Sequence, residues 1–123
     1  MLAVDDDQDA LSLLTEILEL AGARVTTFDS AVRALDQLVT LRPDVLVADI
    51  GLPDLDGFEM IRRIRSQSDP VLRETPAIAL TAYARSQDRV RALESGFQMH
   101  IGKPADPAEL VAAIAAFAKR SRQ

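Results

Sequence analysis

Cysteine is absent from this chain, which excludes both a disulfide framework and a thiolate-held metal. Long apolar runs are missing too, so no segment is suited to crossing a bilayer, and membrane insertion of this domain is not expected. The N-terminus lacks the charged and apolar stretches of a signal peptide, and the expected location is the cytoplasm. Basic charge is in short supply, with 14 Lys and Arg against 19 Asp and Glu and a formal charge of −5. An acidic domain repels a phosphate backbone, so direct nucleic-acid binding is not expected. No internal repeat, low-complexity tract or linker divides the 123 residues, and 48% of them are hydrophobic, which fits one globular domain.

What is present alternates between two kinds of apolar spacing. Leu2–Val4 reads as a short strand that breaks into Asp5-Asp6-Asp7. Gln8 to Ala21 reads as a helix with Leu11, Leu14, Leu18 and Ala21 on one stripe, stopped by Gly22. Arg24–Phe28 is β-branched and strand-like, and Ser30 is placed to cap a helix carrying Leu35, Leu38 and Leu41 that ends before Pro43. Val45–Ala48 is an unbroken apolar run, as expected of a strand buried on both faces. After a turn over Pro53–Gly57, a third helix carries Phe58, Ile61 and Ile64. A fourth strand over Ala77–Leu80 precedes a polar helix over Arg85–Ser95, with Val90 and Leu93 expected inward and Gly96 closing it. Met99–Ile101 is a fifth strand, and Pro107 opens a last helix with Leu110, Ile114 and Phe117 inward.

Five βα units imply an α/β fold, a parallel sheet with five helices distributed over its two faces. Ligands of such sheets bind beyond the carboxyl ends of the strands. The unusual residues gather there: Asp5 and Asp6 after the first strand, Asp49 at the end of the third, Thr81 at the fourth and Lys103 past the fifth. Three carboxylates in one crevice repel each other unless a cation neutralises them, and an all-oxygen site suits Mg²⁺. An acidic run is more often a solvated turn and helix cap, and Asp7 and Asp9 are read that way because carboxylates favour a helix's first turn. Asp49 closes a buried apolar run, a costly place for a carboxylate unless it is paired or exposed at the strand tip. Such an aspartate is suited to forming an aspartyl-phosphate. Lys103 offers a point charge to a phosphoryl oxygen, and Thr81 a hydroxyl donor to another.

In combination, Val4-Asp5-Asp6, Asp49-Ile50-Gly51-Leu52-Pro53-Asp54-Leu55-Asp56-Gly57, Leu80-Thr81-Ala82 and Lys103-Pro104 resemble the receiver domain of response regulators over nearly the whole chain. The resemblance implies a flavodoxin-like, doubly wound sheet of strand order 2-1-3-4-5. It implies phosphorylation of Asp49 from a phosphohistidine, with Mg²⁺ held by Asp5, Asp6, Asp49 and the backbone carbonyl of Gly51. Thr81 would follow the phosphoryl group on switching, carrying the Ala82–Ser86 loop, and Lys103 would bridge to that group. The peptide before Pro104 would be cis. Gly51 and Tyr83 would be the two variable positions flanking the phosphoryl group, Tyr83 being bulky enough to shield it. The implied partner is a sensor histidine kinase or a histidine phosphotransfer protein, and a phosphorylation-dependent dimer is compatible with it.

Three features depart from the common pattern. Few residues precede Asp5, so the chain reads as cut from a longer polypeptide or shortened at its start. The family's switch aromatic is replaced by His100, the only histidine, read as a partly exposed strand residue rather than a metal ligand or phosphotransfer group. The segment from Gly96 to Pro107 is most similar to receivers of hybrid sensor histidine kinases, which would attach the domain to a larger, membrane-bound kinase. Two other functions compete with a switch. One is an aspartate-nucleophile phosphatase of the haloacid dehalogenase type, for which Asp5-Asp6-Asp7 supplies an Asp-x-Asp but the chain leaves no room for a cap domain. The other is a pseudo-receiver interaction module, opposed by the intact set of Asp49, Thr81, Lys103 and the acidic pair.

Overall fold

The computed structural model describes residues 1–82, 86–103 and 105–121. Five parallel strands lie in the order β2-β1-β3-β4-β5, the order the family resemblance implies: β1 (Leu2–Val4), β2 (Thr26–Phe28), β3 (Leu46–Asp49), β4 (Ala77–Thr81) and β5 (Met99–Gly102). Helices α1 (Gln8–Leu20), α2 (Ala31–Leu41), α3 (Gly57–Arg65), α4 (Pro70–Arg73), α5 (Ser86–Ser95) and α6 (Pro107–Ser121) complete the chain.

Strand alternation divides the interior into two cores. Leu2, Val4, Leu46, Ala48, Ala77 and Ala79 face one side with α2, α3, α4 and α5, while Ala3, Val45, Val47, Ile78 and Leu80 face the other with α1 and α6. On the first side the strands contribute three alanines, and the helices fill that space with Phe58, Met60, Ile61 and Ile64. Each of those large side chains is buried, contributing about 1.5–3 kcal/mol relative to exposure. Alternation therefore sorts small strand residues against large helical ones.

The expected caps form. Asp7 accepts from the Asp9 and Ala10 amides at the start of α1, and Ser30 accepts from Arg33 at the start of α2. Gly22 and Gly96 take φ of +92° and +127° past the ends of α1 and α5, angles that suit glycine.

Several details of the expected elements need correction. Among the described residues the five expected helices are joined by one further single turn, capped by Asp69 and opened by Pro70. The second strand begins at Thr26 rather than Arg24, and α1 stops at Leu20, leaving Ala21 exposed as its cap. In α2 the inward residues are Ala31, Ala34 and Leu38, with Leu35 partly buried and Leu41 36% exposed. In α5 Val90 and Leu93 are 53% and 43% exposed, and Ala92 is the buried one among the described side chains. The Arg91 guanidinium lies 4.1 Å from the Phe58 ring centroid, so this helix meets α3 through a cation over an aromatic face and turns its small residue inward. Arg85, expected to begin α5, lies outside the described residues.

Candidate phosphoacceptor site

The parallel register places the ends of β1, β3 and β4 side by side, with Val4 opposite Ala48 and Asp49 opposite Leu80. Asp5 follows β1 directly and is 2% exposed; its backbone N–H donates to Phe28 O at 3.1 Å. One Asp5 oxygen accepts from the Asp7 amide at 3.0 Å, and the other from Lys103 Nζ at 2.7 Å. Asp6 is exposed. Carboxylate oxygens of Asp5, Asp6 and Asp49 all lie within 4.8 Å of one another. Lys103 Nζ reaches Asp49 at 3.6 Å, and the Lys103 amide donates to Thr81 O at 2.7 Å, fastening the loop after β5 to the end of β4.

Electrostatics follow from this geometry. Burial raises the Asp49 pKa above the usual carboxylate value; Lys103 opposes that, while Asp5 and Asp6 add to it. Burial alone would lower the Lys103 pKa, but the hydrogen bond it donates to Asp5 and the charges of Asp49 and Asp5 outweigh it, and the ammonium is stabilised. Three carboxylates against one ammonium leave two negative charges in the crevice. That excess, carried on oxygen donors alone, fits one Mg²⁺. Gly51 stands beside the cluster, its N–H 3.4 Å from Asp49 Oδ1, with open space where a Cβ would be.

Thus Asp5, Asp6, Asp49 and Lys103 are brought together, with Gly51 and buried Thr81 adjoining them. Ala82 is exposed, while Tyr83 and Pro104, with the shielding and cis-peptide expectations attached to them, lie outside the described residues. His100 pairs with Ala79 in the sheet, half-buried, with Nε2 buried and lacking a hydrogen-bond partner. Burial lowers its pKa, Asp88 opposes the change and Arg89 adds to it. Asp7 is committed to capping α1, which leaves the Asp-x-Asp of the phosphatase reading without its second acid.

Three contributors were not singled out from the sequence. Gly57 starts α3 directly beneath the site: a Cβ there would lie 2.8 Å from Ile50 Cα and 2.9 Å from Asp49 O. Its position at the end of the Asp49–Gly57 motif was the available signal. Asp54 accepts from Ser30 Oγ at 2.6 Å and from the Val32 and Ala31 amides at 3.0 and 3.3 Å, bonds that hold its pKa down to about 2. Arg65 donates to Gly96 O, Arg73 O, Thr75 O and Gln98 Oε1, joining the ends of α3, α4 and α5 to the start of β5. Asp54 lies within the same motif, but nothing local points to its partners, and nothing local marks Arg65.

The family model of the response regulator receiver domain matches residues 1–115. A 14.6 kDa protein from the sodA1 3′ region of Leptolyngbya boryana is 49% identical over 111 residues, covering 90% of this chain and 83% of that protein. The transcriptional regulatory protein PrrA of Mycobacterium leprae is 38% identical over 120 residues, covering 98% of this chain, which spans only 50% of PrrA. Among solved structures, a response regulator from Chloroflexus aurantiacus superposes with a TM-score of 0.91 at 32% identity, over 97% of this chain and 96% of that one. The receiver domain of a histidine kinase from Syntrophus aciditrophicus gives 0.87 at 30% identity, over 97% and 89%.

Proposed function

Because the chain belongs to the response regulator receiver family, we propose that it is a phosphorylation switch in which Asp49 accepts a phosphoryl group from a phosphohistidine. The observation that carries the proposal is the setting of Asp49: at a strand tip, within 4.8 Å of two further carboxylates and 3.6 Å from an ammonium. An Asp49 oxygen bonds to phosphorus as the phosphorus–nitrogen bond breaks. The bonding pair stays with the imidazole nitrogen, which takes a proton from solvent. Lys103 supplies positive charge beside the oxygens of the transferring group, and the Thr81 hydroxyl supplies a donor. Asp5, Asp6, Asp49 and the Gly51 carbonyl would hold Mg²⁺, whose chemistry when bound is to neutralise phosphoryl charge.

Transfer is stoichiometric, so the domain acts as a switch and not as a turnover enzyme. Its partner is a sensor histidine kinase or a histidine phosphotransfer protein, and its place is the cytoplasm. No helix among the described residues is long and apolar enough to cross a membrane. Intact mass after treatment with acetyl phosphate and Mg²⁺ tests the proposal. One phosphoryl group per chain is expected, and none on Asp49→Ala; an Asp49→Ala chain that still gains it refutes the assignment.

A further inference from the structure

The loop between β3 and α3 is fastened to a helix that shares no sequence neighbourhood with it. An α-helix begins with N–H groups that have no partner within the helix. In α2 the Ala34 amide is taken by Ser30 O, the Arg33 amide by Ser30 Oγ, and the Ala31 and Val32 amides by the carboxylate of Asp54. Asp54 also accepts from the Ser30 hydroxyl at 2.6 Å. Its negative charge sits at the positive end of α2, where a carboxylate is favoured. Asp54 lies three residues beyond Gly51. On its inner side the same loop is held by the Leu52 and Gly57 amides, both bonded to Ile50 O, and by burial of Leu52. Gly51 itself is exposed, and its N–H makes a long bond to Asp49.

We infer that Asp54 is a positioning residue for the cation site: its bonds to the start of α2 hold the Gly51–Asp54 segment so that Gly51 keeps its place beside Asp49, from which its carbonyl would reach the cation. This rests on the reading of those carboxylates as a Mg²⁺ site. The physical ground is that a backbone ligand has no rotamer of its own, so its position is set wholly by what fixes the loop. Leu52 follows Gly51 directly and is buried inside, Asp54 lies three residues beyond Gly51 on the outside, and only the outer anchor is polar and removable without opening the core.

The test is a Mg²⁺ titration of the full ¹³C,¹⁵N-labelled chain, followed by the Gly51 carbonyl and the Asp5, Asp6 and Asp49 amide shifts. It is run at a temperature where every variant is folded, so that lost stability does not register. Asp54→Ala is expected to need about tenfold more Mg²⁺ for half-saturation, the low end for losing a group that orients a metal ligand. Asp54→Asn, which keeps an acceptor oxygen, is expected to recover part of that loss. Ser30→Ala, which removes the shortest of the three bonds and leaves the carboxylate, is expected to need about threefold more by the same reasoning, and it carries the test if Asp54→Ala does not fold. A Mg²⁺ affinity within about twofold of wild type in Asp54→Ala, or in Ser30→Ala where that variant stands in, means that Asp54 only caps α2, and overturns the inference. A wild-type chain whose Asp5, Asp6 and Asp49 amides ignore Mg²⁺ is a separate result, which overturns the site reading beneath it.

Discussion

Asp49→Asn is expected to make the metal-free protein more stable at neutral pH, even though it removes the phosphoacceptor. The amide preserves the shape of the carboxylate and keeps an oxygen for the Gly51 N–H. What it removes is one of three like charges. At an effective dielectric constant of about 20, a like pair 4.8 Å apart repels by about 3.5 kcal/mol, and an opposite pair at 3.6 Å attracts by about 4.6 kcal/mol. Asp49 faces two carboxylates and one ammonium, so repulsion exceeds attraction by about 2 kcal/mol. Exposure of Asp6 screens part of this, while burial of Asp49 adds to it. The expected gain is about 1–2 kcal/mol, or about 5 °C in Tm for a chain of this size.

The pH dependence fixes the cause. Because the Asp49 pKa is raised above 3.8, its protonated form stabilises the fold, and that contribution fades as pH rises through the raised value. Wild type and Asp49→Asn should therefore have the same stability below 3.8 and diverge above it. Mg²⁺ should narrow the gap at pH 7, since it binds the folded wild-type site more tightly. Thermal unfolding by circular dichroism, in EDTA and in excess Mg²⁺ from acid to neutral pH, reads all three effects. An Asn variant no more stable than wild type at pH 7 in EDTA, or a gap equally large in acid, refutes the electrostatic account.

Lys103→Met should cost about 2 kcal/mol at pH 7 without metal, because Asp5 is left buried without its counter-charge, while the lysine's partial exposure keeps the loss below that of a fully buried pair. Urea midpoints should show that loss shrinking in Mg²⁺, and a loss indifferent to the cation would count against a shared site. Gly57→Ala should cost about 2 kcal/mol or more, since its Cβ would press on the backbone of Ile50 and Asp49. Wild-type stability by the same urea titration would show that the loop yields freely. Arg65→Ala should cost about 3 kcal/mol by stripping partners from several carbonyls at once. Amide exchange should then quicken first at Gly96–Gln98, and uniform quickening would mean that the arginine has no local role.

The sheet was legible because a strand buried on both faces must be apolar throughout, and Val45–Ala48 and Ala77–Leu80 are. The strand tips were legible because a carboxylate or lysine after such a run has little structural reason to be there. Helix faces were harder. Periodicity places Val90 and Leu93 on a stripe, yet which stripe turns inward depends on Arg91 meeting Phe58, a contact across 33 positions of sequence. Leu41 fails for a different reason: the left-handed cap at Arg42, φ 43°, ends the helix before its last apolar residue is covered. The Asp69-Pro70 start signal of α4 was in plain view, but four residues are too few to show a period. Asp54 and Arg65 were beyond reach because their partners lie far off in sequence and are mostly backbone groups, which carry no mark in a sequence.

That last property of Arg65 has a consequence for which positions are free to vary. Its acceptors on Arg73, Thr75 and Gly96 are main-chain oxygens, so they are offered by whatever residue occupies those positions. The side chain of Arg73 is therefore replaceable without cost to the clamp. Gly96 is not, because a Cβ there would stand 2.8 Å from Arg65 Cγ and φ is +127° as well. Shortening Arg65 would remove the collision but not the backbone angle. Replacements at positions 65 and 96 are thus tied in one direction: a change at 65 loses the clamp but meets no clash while 96 stays glycine, whereas a side chain at 96 is strained even when position 65 makes room.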